Sequence, residues 1–212
     1  MPTTGPMMGH KGFEAYKSAF SRRTETVAPG YHNVHLTDYD IDVELTSTKR
    51  VGFHRYRFPA TDEAHILFDL GAYLGHGAMQ DAMIHRVNDR EVAGYSVMAP
   101  THRRKKPSTV YFAAKLDTSM DDFGGWKKQG DEKQPMSNPG ERIEGPNSGG
   151  YVRFHFEEPT TVKMKVGISY VSEEQARLNL ETELSHWNFD RVVRDSKAEW
   201  NDWLSRIEVE GG

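Results

Sequence analysis

The chain has 212 residues, 27 basic and 31 acidic, with a net charge of −4 and no cysteine. A chain of this length suits one domain, or one domain with an appendage, and buries roughly 70% of its unfolded surface, enough for a core without covalent staples. Disulfides and thiolate–metal sites are excluded, no global basic field exists to draw nucleic acid, and no apolar run approaches the roughly 18 residues of a membrane span.

Residues 1–30 are mixed and weakly periodic. Their opening, MPTTGPMMGHKGFEAYKSAF, lacks the charged start and apolar run of a signal peptide, so any export signal of a longer parent is expected outside this chain. Val34 and Leu36, then Ile41, Val43 and Leu45, then Tyr56 and Phe58 alternate with polar residues, separated by turn-prone TDYD and STKR. A period of two predicts three consecutive strands, each with one buried face. HILFDL is a short continuous apolar run and predicts a central strand. MIHRV and VAGYSVM flank the turn NDRE as a hairpin, and TVYFAAKL is rich in strand formers. Residues 117–150 carry seven glycines and three prolines and read as a long surface excursion. Alternation resumes in YVRFHFEE and TVKMKVGISYV. About eight to ten short strands at this spacing predict a mainly β fold, an antiparallel β-sandwich or open barrel.

At Ser172 the pattern changes to helix. Ser172 and Gln175 have capping-box spacing, and Glu173 and Glu174 sit in the first turn, where the helix dipole favours anions. A second helix is expected to open at Asn188, a good N-cap. The predicted helices run near 173–184 and 189–206. Phe189, Val193, Ser196, Trp200, Trp203 and Ile207 recur at spacings of four and three, and Val192 and Leu204 widen the stripe. So apolar a face needs a partner, either the sheet or a following domain.

Chemistry is harder to find. Glycoside hydrolysis needs a carboxylate pair, and only Asp121 and Asp122, beside Phe123 and two glycines, stand out; a solvated loop is the plainer reading. His32 and His35 are three apart on a predicted strand and point to opposite faces, so they cannot share a metal without a bulge, and His54 reads as structural. The run THRRKKP lies in a predicted loop without an aromatic platform. Trp126, in FGGWKKQG, is the one candidate substrate-binding residue: glycines admit a ligand to the backbone and an indole suits a sugar's apolar face, although a tryptophan here can equally tuck onto the sheet. No catalytic and no metal-binding residue is assigned.

APGYHNVHLTDYDIDVELTSTKRVGFHRYRFP, HILFDL, VYFAAKL and KVGISYVSEEQARLNLETELSHWNFDRVVRDSKAEWNDWLSRIEVEGG resemble, in order and spacing, the N-terminal domain of glycoside hydrolase family 92. TKRVGFHRYRFP and the tail with ARLNLE and WN are the specific segments. The resemblance implies a supersandwich-like β-sandwich at 1–171, truncated at its N-terminus, and a helical linker at 172–212 leading to an absent (α/α)6 barrel, against which the tryptophan stripe would bed. It implies a parent that is a calcium-dependent, inverting exo-α-mannosidase of α-1,2 type, acting on mannose-containing glycans, with acid, base and calcium ligands coming mainly from the barrel. The parent is expected to be periplasmic or secreted, with no cofactor held by this chain and no nucleic-acid or membrane partner. A His-Glu pair that often precedes Pro-Gly-Tyr in the family is replaced here by Arg22 and Arg23 in SRRTETVAPGYH. The alternative is a free-standing carbohydrate-binding or interaction module.

Overall fold

The computed structural model describes residues 1–72, 78–129, 132–136, 140 and 142–210. The first half of the chain gives β1 (Pro2–Thr4), a 3-10 turn, α1 (Phe13–Tyr16), β2 (Thr26–Ala28), β3 (Tyr31–Leu36), β4 (Ile41–Ser47), β5 (Val51–Phe58), β6 (Thr61–Asp69), β7 (Met79–Asn88) and β8 (Glu91–Met98). The second half gives β9 (Ser108–Leu116), β10 (Asp122–Gln129), β11 (Glu132–Met136), β12 (Arg142–Glu144), β13 (Gly149–Phe156), β14 (Thr160–Ser169), α2 (Glu173–Glu183) and α3 (Phe189–Leu204).

The described strands form two antiparallel sheets. One has five strands in the order β1-β6-β13-β10-β11, the other nine in the order β12-β7-β8-β9-β14-β5-β4-β3-β2. The alternation that predicted the strands is the alternation that buries them. Ile41 and Val43 on β4, and Tyr56 and Phe58 on β5, point inward with Ala64 and Ile66 of β6 and Val152 and Phe154 of β13, and together they form the inter-sheet core. The predicted hairpin is β7–β8, with Asn88 opposite Glu91. β6 is paired on both edges, by β1 and β13.

Residues 117–150 depart from the sequence expectation of a surface excursion. They contain β10, β11 and β12, and β10 pairs with β13 from Asp122↔Arg153 to Trp126↔Gly149. The glycines that suggested a loop permit close packing. A Cβ on Gly125 would lie 2.3 Å from the carbonyl oxygen of Gly149 and 2.3 Å from Cδ1 of Ile143. Composition marks glycine as a breaker, but a strand squeezed between another backbone and a core isoleucine also demands it.

The helix starts fall where local chemistry put them. Ser172 Oγ accepts the amide hydrogen of Gln175 at 3.1 Å, and Asn188 Oδ1 accepts that of Arg191 at 3.0 Å. Only half of the expected capping box forms: the Gln175 side chain donates to Asn179 Oδ1 at 3.0 Å, and Asn179 in turn donates to the Ile168 carbonyl at 2.9 Å. Gln175 thus serves to seat α2 on β14.

Replacing Gly125 by alanine is expected to destabilise the fold by about 1–3 kcal/mol through overpacking. Thermal melting followed by circular dichroism checks this; an unchanged midpoint would restore the loop reading.

Candidate domain interface

The nine-stranded sheet has a second apolar patch, on the face turned away from the five-stranded sheet. Val51 and Phe53 project there from β5, between the core residues on the other side of the strand. Leu180 from α2, Leu184 at its C-cap, and Phe189 and Val192 from α3 close over them, with Tyr31, Trp187 and Val193 at the margin. α2 approaches so closely that a Cβ on Gly167 of β14 would lie 2.4 Å from the Ala176 carbonyl oxygen. Each of these apolar side chains contributes on the order of 1.5–3 kcal/mol when fully buried.

Around this patch, polar contacts tie the helices to five strands or their turns. Along α2, Glu173 meets His85 of β7 at 2.8 Å, Arg177 meets Glu91 of β8 at 2.6 Å and Glu181 meets Lys115 of β9 at 2.8 Å. Glu183 accepts from Thr48 Oγ1 at 2.6 Å, from the Arg50 amide at 3.0 Å and from Arg50 Nε at 2.5 Å, in the turn between β4 and β5. At the start of α3, Asp190 takes Arg55 Nη1 at 3.1 Å, while the same guanidinium is held by Glu44 at 2.6 and 2.7 Å and stacks over Phe189 at 4.3 Å. Burial alone would raise the Glu183 carboxyl; the hydrogen bonds from Thr48 and Arg50 outweigh it and hold that group below its usual range. The Arg55 hydrogen bonds do the same for Glu44, against its burial. Most of these groups are partly buried, so the cost of desolvating them offsets much of the attraction between them. Their greater effect is to fix the register of helix on sheet.

α3 uses only half of its stripe on this sheet. Ser196 lies against Gly30 at the β2–β3 turn, where a glycine Cβ would sit 2.4 Å from Ser196 Oγ. Beyond that crossing the helix runs off the sheet. Trp200 and Trp203 are 50% and 57% exposed, and Leu204 and Ile207 also face outward. Trp200 and Trp203 line a groove of about 440 Å³ against Ser47, Thr48 and Lys49, and Trp200 borders a second groove of about 600 Å³ toward Val27 and Tyr31.

The residues singled out for chemistry do not converge. Trp126 has no exposed surface: its indole is enclosed by Gly9, Tyr16 and Leu67 on the outer face of the five-stranded sheet. It has tucked onto the sheet and presents no face to a sugar in this conformation. Asp121 accepts the His155 amide at 2.7 Å and Asp122 that of Phe123 at 2.9 Å, so both serve the backbone. His32 pairs with Glu25 at 3.0 Å and His35 with Asp42 at 2.9 Å. His54 contacts the Tyr56 hydroxyl at 2.7 Å, and burial pushes its imidazole down to about 4. In THRRKKP, Arg104 folds back on its own loop, donating to the Ala99 and Lys106 carbonyls. Among the described residues no group of three or more His, Asp or Glu side chains could hold a metal.

Sequence reasoning missed the Arg55–Glu44–Asp190 node and the glutamates of α2. Alternating charges on strands facing a glutamate-bearing helix were the available signal, but partners up to 135 residues apart carry no local signature.

This architecture is that of a two-sheet β-sandwich with a helix pair fastened across one outer face. The chain belongs to glycosyl hydrolase family 92: the model of the family's N-terminal domain matches residues 1–169, and that of its catalytic domain matches residues 175–212. A family GH92 α-mannosidase from Bacteroides thetaiotaomicron, BT3965, superposes with a TM-score of 0.85 at 24% identity, over 100% of this chain and 29% of that one. The inverting mannosidase BT2199 from B. thetaiotaomicron VPI-5482 gives 0.77 at 20% identity, over 100% of this chain and 27% of that one. At these identities the likeness establishes the fold. An uncharacterized secreted glycosidase from Arthroderma benhamiae is 35% identical over 69 residues, 31% of this chain and 9% of that protein. The chain thus spans less than a third of the length of these relatives.

The uncovered half of α3 is expected to make the purified chain self-associate, because an apolar patch flanked by grooves is a docking surface. Sedimentation velocity should show concentration-dependent association, reduced by Trp203→Gln with no change in the strand signal of circular dichroism. A native chain that stays monomeric at all concentrations would contradict this.

Proposed function

We propose that this chain is the N-terminal sandwich domain of an inverting exo-α-mannosidase, of α-1,2 type, which acts on mannose-containing glycans. In this reading the sandwich occupies 1–171, and the helices from 172 lead into an (α/α)6 barrel that supplies the general acid, the general base and the calcium site. The sandwich helps to shape the substrate cleft and does no bond-breaking of its own. The parent works in the periplasm or outside the cell, in keeping with the secreted fungal relative.

One observation carries the reading: two family models meet in this chain, the N-terminal one ending at residue 169 and the catalytic one starting at residue 175, across the cap of α2. The free half of α3 fits the same picture. Its buried half already seals an apolar contact, and Trp200, Trp203 and Leu204 continue that stripe where the barrel would lie. For an inverting enzyme, the acid and base carboxyls stand roughly 6.5–9.5 Å apart with a water between them. Asp121 and Asp122 are occupied with backbone amides instead, and no catalytic role is assigned to them.

The pure chain is expected to hydrolyse no aryl α-mannoside above background, with or without calcium. Turnover that a chelator abolishes would overturn the assignment of chemistry to the barrel.

A further inference from the structure

The elbow between α2 and α3, residues 184–188, carries one tryptophan, Trp187. Its indole is half-buried and held from two sides. The Phe53 ring meets it edge to face at 6.0 Å between centroids, and the Lys165 ammonium lies 3.9 Å from the indole centroid, over one face. What remains of the indole borders a groove of about 520 Å³. Asn88, Asp89 and Arg90 of the β7–β8 hairpin line that groove, as do Lys115 and Asp117 at the end of β9. The volume lies within the roughly 300–1,000 Å³ of small-molecule sites.

The hairpin side of the groove is braced. The Arg90 amide donates to Asn88 Oδ1 at 2.8 Å, Arg90 Nε to Ser119 Oγ at 3.0 Å, and Ser119 Oγ to Asp89 Oδ2 at 2.9 Å. The Met120 amide donates to the Asp89 carbonyl at 2.7 Å and the Leu116 amide to the Arg90 carbonyl at 2.8 Å. Side chains held in this way lose little freedom on meeting a ligand. The charges nearly cancel. Lys115 is taken by Glu181 at 2.8 Å and by Glu91 at 3.8 Å. Asp117 accepts the Lys163 amide at 2.8 Å and pairs with its ammonium at 3.8 Å. Arg90 and Asp89 are left, one of each sign, at exposed positions. Among the described residues no protein group takes the terminal nitrogens of Arg90, the Asn88 amide hydrogens, Asp89 Oδ1 or the Trp187 indole N–H.

These leftovers select a class of ligand. An anion would meet Asp89, and a cation would meet Arg90. An apolar ligand would cover donors and acceptors without satisfying them, which costs the desolvation of each. A pyranose meets both demands. Its hydroxyls donate and accept around the rim, and its C–H face packs on an indole. We propose that this groove binds one hexose unit of a neutral glycan, with the sugar ring against Trp187 and its hydroxyls shared among Arg90, Asp89 and Asn88. The ligand class rests on the groove, while the choice of mannose as the unit rests on the mannosidase reading above. Holding one unit of a glycan raises the effective concentration of the rest of the chain at the protein.

The test is proton–nitrogen NMR of the indole N–H groups in the full chain, titrated with methyl α-mannoside. The four tryptophans give four signals. That of Trp187 should shift saturably at millimolar sugar, while those of Trp126, Trp200 and Trp203 stay in place. Trp187→Phe assigns the signal but disturbs the packing on Phe53, so the decisive variants are Arg90→Ala and Asp89→Ala, at exposed positions. Each should weaken binding on the order of tenfold, as expected for the loss of a hydrogen bond to a charged group, with the spectrum of the free chain otherwise preserved. A silent Trp187 would overturn the proposal. So would a shift at Trp200 or Trp203 in its place, an equal response to open-chain mannitol or to inorganic phosphate, or undiminished binding by both variants. A saturable response to methyl α-glucoside but not to the mannoside would support the groove as a hexose site and count against the mannosidase reading, so the two fail separately.

Discussion

The nine-stranded sheet has two faces to cover, and the rest of the molecule follows from that constraint. One face meets the five-stranded sheet through Tyr56, Phe58 and Met164. The other carries Val51 and Phe53 at the β5–β14 centre, both essentially without exposure. A strand with large apolar groups on both sides cannot end in water. The chain therefore turns from strand to helix after Ser169 and lays α2 and the first half of α3 over the uncovered patch. The six buried residues of that second cluster come from β5, from α2 and its C-cap Leu184, and from α3.

Apolar burial holds the helices down, but it does not say where. The polar contacts do. Each lies at a different strand or turn, from His85 on β7 to Arg55 on β5, and they are spread along α2 from Glu173 to Glu183 and on to Asp190 in the first turn of α3. A shift of α2 by one residue would misplace Glu173, Arg177 and Glu181 together. Lys165 is the exception, a buried cation facing another cation. The result is that the helices, which the family models assign to the catalytic portion, are positioned by the sandwich and not merely tethered to it.

What the sequence disclosed and what it hid divide along the same physical line. Helix starts were legible because a cap is a contact between residues three apart: Ser172 with Gln175, and Asn188 with Arg191. Strands β3 to β5 were legible because alternation is local. β10 was not, because Gly124 and Gly125 are there to fit Tyr151, Ile143 and Gly149, residues distant in the chain. Trp126 raised a sugar-binding expectation for the same reason: its neighbours in sequence are glycines and lysines, while its neighbours in space are Gly9, Tyr16 and Leu67. The long-range charge pairs had no local signature at all. The candidate interface was thus half visible, as an apolar stripe on α3 without the surface it meets.

The most direct measurement is thermal unfolding of residues 1–171 beside the full chain, with binding of a hydrophobic dye. Val51 and Phe53 lose their cover in the shorter chain. Several buried side chains at about 1.5–3 kcal/mol each, at about 2–4 °C of midpoint per kcal/mol for a chain of this size, predict a loss of more than about 10 °C together with dye binding. An unchanged midpoint without dye binding would contradict the helices as an integral layer of the fold and leave them an appendage.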